Sequence, residues 1–341
     1  MRLVLLLAFS AIAFSADLTV GTATAASGQK ATGVLRVPSG VDAATDIPVI
    51  VINGANRGPT LALVSGAHGT EYASIIALEK FAQSADPAQI SGAVIVVPLL
   101  NLASFAQKVP HLNPTDGKNM NRFYPGKPDG TQTDRALLAI SQQVVAKADY
   151  VIDYHGGDLD ENLRKYSYWA DTGNARLDST SREMVLAFGL DHIIIQRARP
   201  SDPRPTAVTL TRYAQDSGKP AIAVEAGHAG TTDAEDIDAL VQGTFNVMRY
   251  LKMLPGRVTP VEHPLWIARS LVVESEASGI FYPLAQPEAY VAKGMPIGYV
   301  TDYYGNKIWD ATAPVSGIVL YICSVPSMKK GDTVAHVGEL Q

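Results

Sequence analysis

The chain has 341 residues, 47% apolar and 18% charged, which excludes an intrinsically disordered protein and leaves room for one large or two smaller domains. Its 28 basic and 33 acidic residues give a net charge of −5, which argues against non-specific nucleic-acid binding. A single cysteine, Cys323, excludes an intrachain disulfide and reads as a buried small apolar residue.

Arg2 followed by the apolar run 3–14 reads as an export signal, with Ala13 and Ser15 as the small residues around a cleavage site after Ser15. The run is shorter than the ~20 residues of a membrane span. The mature chain is therefore expected to be exported, periplasmic or secreted, with no membrane association after cleavage.

Short strands and turns follow over 17–60, including a β-rich run at 47–52 and a strand at 60–65. Residues 71–83 carry apolar side chains at helical spacing, and 93–100 form a continuous apolar strand of the kind buried on both faces. Residues 101–130 show no period and are long for a loop, which marks them as functional or disordered. A helix at 133–146, a strand at 150–154, a helix at 181–188, and strands at 192–196 and 221–224 come next. A long amphipathic helix at 234–251 ends the alternation. Strands alternating with helices predict an α/β domain over 16–255, built on a mixed central sheet flanked by helices. After Leu254-Pro255-Gly256 only short β-rich runs and turns remain, so a second, all-β domain is expected over 256–341.

The chemistry-bearing residues lie just after predicted strands, where ligands gather in α/β sheets. His68 and Glu71, in Gly66-Ala67-His68-Gly69-Thr70-Glu71, follow the strand at 60–65. His155 follows 150–154, and Glu225 follows 221–224. Two histidines and one glutamate form a zinc set that leaves a position open for water, and Gly69 permits a tight turn between the first two. Such a site needs a further carboxylate to take the water's proton and pass it to the leaving amine, and Glu225 is the candidate. Asp153, two residues before His155 and so on the same strand face, is placed to accept a hydrogen bond from the ligand imidazole and fix its tautomer. Arg122 and Asn121, in the long loop, suit recognition of a substrate carboxylate. His228, three residues after Glu225, tempts as a fourth ligand, but a closed four-ligand site would suit structure better than catalysis, so it is left out of the expected metal set.

In their order these motifs resemble the succinylglutamate desuccinylase/aspartoacylase family, a branch of the zinc carboxypeptidase-like peptidases. The resemblance runs from about residue 35 to the C-terminus. It is carried by Gly54-Ala55, Gly58-Pro59, Gly66-x-His68-Gly69-x-Glu71, Val97-Pro98-x-x-Asn101, Asn121-Arg122-x-x-Pro125-Gly126, Asp153-x-His155-Gly156 and Glu225-x-Gly227. It implies one Zn²⁺ per chain, held by His68, Glu71 and His155, with Glu225 as general acid/base. Asn121 and Arg122 are implied to bind substrate or polarise the scissile carbonyl. The C-terminal domain is implied to be a β-barrel sandwich that caps the site. Two positions depart from the family pattern. Leu102 stands after Asn101 where proline is common, and Lys108 is the nearest counterpart of a family arginine that would contact the substrate.

The expected activity is zinc-dependent hydrolysis of a carbon–nitrogen amide bond in an N-acyl amino acid or a similar small carboxylate-bearing amide. The alternatives are an exported carboxypeptidase or amidase acting on short, cell-wall-type peptides, and a non-catalytic zinc-binding module.

Overall fold

The computed structural model describes residues 16–197 and 208–341. The expected export signal over 1–15 lies outside the described residues. Among those residues, no helix is long and apolar enough to cross a membrane.

A mixed sheet runs through the molecule. At its centre, strand Tyr150–His155 lies between Ala221–Glu225 and Asn56–Ser65, parallel to both. Asn56–Ser65 in turn pairs in parallel with Ser91–Val97. On that side the sheet finishes with Thr45–Asn53 and Gln29–Val37, both antiparallel to their neighbours. On the other side Tyr166–Asp171 runs antiparallel to Ala221–Glu225 and parallel to His192–Arg197. His192–Arg197 then pairs in parallel with the first residues of Leu265–Glu274. The sheet is thus continuous into the C-terminal region.

The central strands are buried on both faces, so they read as unbroken apolar runs rather than alternating ones. Their period of two still sorts the core. Leu61, Leu63, Ile152 and Tyr154 face one apolar cluster, built with helices Tyr72–Ser84, Ala175–Phe188 and Ala234–Tyr250. Ala62, Val64 and Val151 face the other, with helices Gln132–Gln143 and Leu210–Asp216.

Several elements were not legible as regular structure, among them one strand and one helix beside the site. Tyr166–Asp171 is polar and aromatic rather than apolar, and Leu210–Asp216 is a seven-residue helix too short to show a period. Part of the long segment 101–130 is also regular. Leu102–Gln107 forms a short helix, with the Asn101 side chain accepting from the Ser104 N–H at 3.1 Å as its N-cap. Leu102 occupies the first helical position, where proline is favoured but not required. The departure from the family's Asn-Pro therefore leaves the helix start intact.

From Leu265 onward every regular element is a strand. Gly317–Cys323 and Thr333–Leu340 extend the large sheet, while Lys307–Thr312, Pro296–Thr301, Gly279–Pro283 and Ser327–Met328 form a second one. Phe281, Ile297, Val300, Val319, Val334 and Val337 pack in an apolar cluster of their own. Cys323 is buried there as a free thiol. Tyr303 and Tyr304 are 77% and 91% exposed, at the turn between two strands of the second sheet.

Phe81 is fully buried in the first cluster, and its ring centroid lies 5.0 Å from that of Phe245. Phe81→Ala should destabilise the fold by about 3–5 kcal/mol, read by denaturant unfolding, because a cavity this deep in the core cannot collapse.

Candidate metal and catalytic site

The parallel pairing of the three central strands brings their carboxyl ends to one edge. Ser65 sits opposite Tyr154, and His155 sits opposite Glu225. The chain after Ser65 then carries His68 and Glu71 back over that edge, and helix Tyr72–Ser84 begins immediately after Glu71.

That connection is held from outside by the segment at 100–109. Asn101 N–H donates to the Gly66 carbonyl (2.8 Å), Asn101 Nδ2 to the Ala67 carbonyl (3.1 Å), and Gly69 N–H to Ser104 Oγ (2.9 Å). Gly69 is needed for this close approach, because a Cβ there would stand 2.3 Å from the Phe105 backbone nitrogen. The left-handed conformation belongs instead to Gly66, at φ +69°. The tight turn expected between His68 and Glu71 is present, with Gly69 and Thr70 at its centre and the Glu71 N–H donating to the His68 carbonyl at 3.4 Å.

His68, Glu71 and His155 are 8%, 3% and 5% exposed, and each offers a ligand atom within 4.8 Å of the others. Both imidazoles point Nδ1 at the Glu71 carboxylate, His68 at 2.6 Å from Oε1 and His155 at 2.9 Å from Oε2. Their outer nitrogens are backed by oxygen acceptors. His68 Nε2 is 3.1 Å from Asn119 Oδ1, and His155 Nε2 is 3.2 Å from Asp153 Oδ2. Burial acts to raise the Glu71 carboxyl, but the imidazoles of His155 and His68 overcome it and hold the pKa down to about 2. Burial acts to lower His155, but Asp153 and Glu71 prevail and raise it well above the usual imidazole range. Buried imidazoles converging on a carboxylate, each with an acceptor behind its outer nitrogen, fit a divalent cation of the zinc type.

Asn121 stands behind this set. Its Oδ1 accepts from the Leu210 N–H (2.8 Å), which orients the amide. Its Nδ2 then donates to Asp153 Oδ2 (3.1 Å) and lies 2.8 Å from His155 Nε2. Asn121, expected to bind substrate, is thus engaged in holding His155 and Asp153. Arg122 lines the cavity with an exposed guanidinium whose Nη1 donates to the Asn121 carbonyl (2.7 Å). It makes no ion pair among the described residues, so its charge is available to an anion.

Glu225 lines the same cavity and makes no side-chain hydrogen bond among the described residues. Burial pushes its carboxyl well above the ordinary range. The His155 imidazole opposes that shift, while Glu71, Glu161 and Asp153 add to it.

One sequence-based expectation is corrected here. Lys108 does not reach the site. It ends helix Leu102–Gln107 in the left-handed conformation (φ 56°), with its side chain in solvent. His228, left out of the expected metal set, lies near Asp233 and Asp236, at 3.6 and 3.7 Å.

Sequence reasoning missed Glu161, Tyr166, Tyr168, Tyr321 and His336, all of which line the cavity. Tyr321 and His336 come from the C-terminal strands, so that region forms one wall. Their rings meet edge-on at 5.1 Å.

Gly69→Ala should displace the His68–Glu71 connection from Ser104 and Phe105. The expected outcome is about 1–3 kcal/mol of destabilisation together with weaker metal retention, read by unfolding and by metal content after dialysis.

The comparisons with known proteins agree with this geometry. The model of the succinylglutamate desuccinylase/aspartoacylase catalytic domain matches residues 57–251, more than half of the chain. The N-alpha-acetyl-L-2,4-diaminobutyric acid deacetylase of Halomonas elongata is 28% identical over 325 residues, covering 90% of this chain and 91% of its own. The product-bound structure of the ectoine utilization protein EutE (DoeB) from Ruegeria pomeroyi superposes with a TM-score of 0.82 at 25% identity, covering 91% of this chain and 95% of that one. A succinylglutamate desuccinylase/aspartoacylase from Rhodobacter sphaeroides shares the fold, with a TM-score of 0.80 at 23% identity over 92% of this chain and 95% of that one. With the family model spanning the strands that build the site, this chain belongs to the succinylglutamate desuccinylase/aspartoacylase family.

Proposed function

We propose that the protein is a zinc-dependent amide hydrolase that deacylates a small N-acyl amino acid. The observation that carries the reading is the convergence of His68, Glu71 and His155 beside a carboxylate, Glu225, that makes no side-chain hydrogen bond or ion pair among the described residues. His68, Glu71 and His155 would hold one Zn²⁺. When bound, the ion would supply Lewis-acid polarisation of the scissile carbonyl and a more acidic water.

The remaining chemistry rests on the chain's own residues. Glu225, with its raised pKa, is suited to accept a proton from the attacking water and deliver it to the departing amine. Arg122 offers a guanidinium to the substrate carboxylate, in the planar geometry that suits bidentate pairing. Asp153 and Asn119 hold the outer nitrogens of the two imidazoles, and Asn121 orients Asp153.

The cavity at the site has a volume of about 200 Å³ and is walled by Tyr321 and His336. The small volume directly at the ligands supports a small amide as the substrate. We read residues 256–341 as a barrel-sandwich module that caps the site, supported by the two sheets around a separate apolar cluster. Export through residues 1–15 belongs to the same reading and rests on the sequence. The Halomonas relative's substrate, an N-acetylated diamino acid, is the first compound to assay.

Glu225→Gln tests the mechanism. It removes the proton-transfer group and keeps the shape, so turnover should fall by at least ~100-fold. Zinc content should be retained and the melting temperature should not fall, because a desolvated carboxylate is being replaced by a neutral amide. Wild-type turnover in this variant would remove Glu225 from the reaction.

A further inference from the structure

Strand Tyr166–Asp171 lies in the sheet beside the site, and it is polar and aromatic where a buried strand is expected to be apolar. Its register gives part of the reason. Tyr166 sits opposite Glu225 and Tyr168 opposite Ala223, so both rings share the sheet face that carries the Glu225 carboxylate. Ala223 is small, which leaves Tyr168 room to reach the cavity that it lines together with Glu225 and Arg122. The reaction as described uses neither tyrosine.

The ring of Tyr168 is held from behind. It packs against the apolar cluster of Ile194, Ile267, Ile318 and Leu320, which joins the sheet to the C-terminal strands. Tyr166 meets it edge-on, with ring centroids 5.4 Å apart. Among the described residues its hydroxyl makes no hydrogen bond to a carboxylate, a side-chain amide or the backbone, and the polar group facing it is the Tyr166 hydroxyl. Burial, together with Glu225 and Glu161, raises the Tyr168 phenol above its ordinary range against the opposing influence of Tyr166 and Arg122, so it stays neutral. A neutral phenol can accept from one hydroxyl and still donate its own proton. Buried tyrosine hydroxyls normally find a partner, and this half-buried one opens onto the cavity.

We propose that Tyr168 is a specificity-determining residue whose hydroxyl donates a hydrogen bond to the substrate carboxylate that pairs with Arg122. The inference rests on the hydrolase reading above. Arg122 comes from the loop and Tyr168 from the sheet, so a carboxylate held by both is fixed in orientation as well as in place. Both groups are donors, and a carboxylate offers two acceptor oxygens to meet them. A carboxamide offers one oxygen and an NH₂, which sets a donor against a donor. The site therefore selects N-acyl amino acids with a free carboxylate over their C-terminal amides. Tyr168 acts through binding and takes no part in proton transfer.

The experiment is steady-state kinetics of the zinc-loaded protein on a panel of N-acetyl amino acids, each paired with its C-terminal carboxamide. Wild-type protein should favour the free carboxylate in every pair that it hydrolyses. Tyr168→Phe removes the hydroxyl and keeps the ring on its apolar cluster. It should cut that preference by at least ~10-fold, the order expected of one hydrogen bond to a charged group, by raising KM for the carboxylates with kcat nearly unchanged. Equal losses on both members of a pair are the mark of a structural role and would overturn the proposal. A fall in kcat with KM unchanged would overturn it too, by moving the hydroxyl to the reacting carbonyl. Wild-type indifference between carboxylate and carboxamide would sink it while leaving the hydrolase reading standing. No hydrolysis of any compound in the panel would remove both.

Discussion

The Glu71 carboxylate is the interaction on which the site depends. Each of its oxygens faces the Nδ1 of one imidazole, His68 on its own connection and His155 on the neighbouring strand. That bridge is possible only because Asn56–Ser65 and Tyr150–His155 run parallel and in register, so that residue 155 arrives one step beyond Ser65. Glu225 reaches the same edge because its strand is parallel too and pairs residue for residue with His155. Three carboxyl ends at one level bring the candidate ligands and the candidate base together, with His68 and Glu71 supplied by the short connection after Ser65. The fold positions the chemistry through register, and the apolar clusters on both sheet faces hold the register.

Around this bridge lie supports that do no chemistry. Asn101 and Ser104 hold the His68 connection through backbone groups, and Leu210 orients Asn121, which in turn orients Asp153. The acceptors behind the imidazoles set which nitrogen carries the proton, leaving both Nδ1 atoms free to face Glu71. Such supports explain why several of the family's ordered motifs, Asn101 and Asn121 among them, contact the site from behind.

Much of this was legible in the sequence for a physical reason. Buried parallel strands are continuous apolar runs, so their carboxyl ends can be read, and His68, Glu71, His155 and Glu225 all sit within a few residues of one. Asp153 could be placed by strand alternation. What was not legible depended on contacts between distant segments. Glu161 sits in an acidic, glycine-flanked stretch that looks like a solvated loop, and only its pairing with Gly317–Cys323 carries it to the cavity. Tyr321 and His336 lie in strands whose local pattern is ordinary core, and the docking of the C-terminal region turns them towards the site. Lys108 was misjudged for the converse reason. Its resemblance to a family arginine position gave it a charge role, whereas its backbone ends a helix and its side chain is exposed to solvent.

The central claim is that His68, Glu71 and His155 hold one zinc ion with a position left open. Zinc K-edge X-ray absorption on the purified protein, paired with metal stoichiometry, tests it most directly. The account predicts one zinc per chain, bound by two imidazoles, one carboxylate and a light, exchangeable oxygen ligand. A shell closed by four protein ligands, or zinc binding that survives replacement of His68 and His155 together, would contradict it.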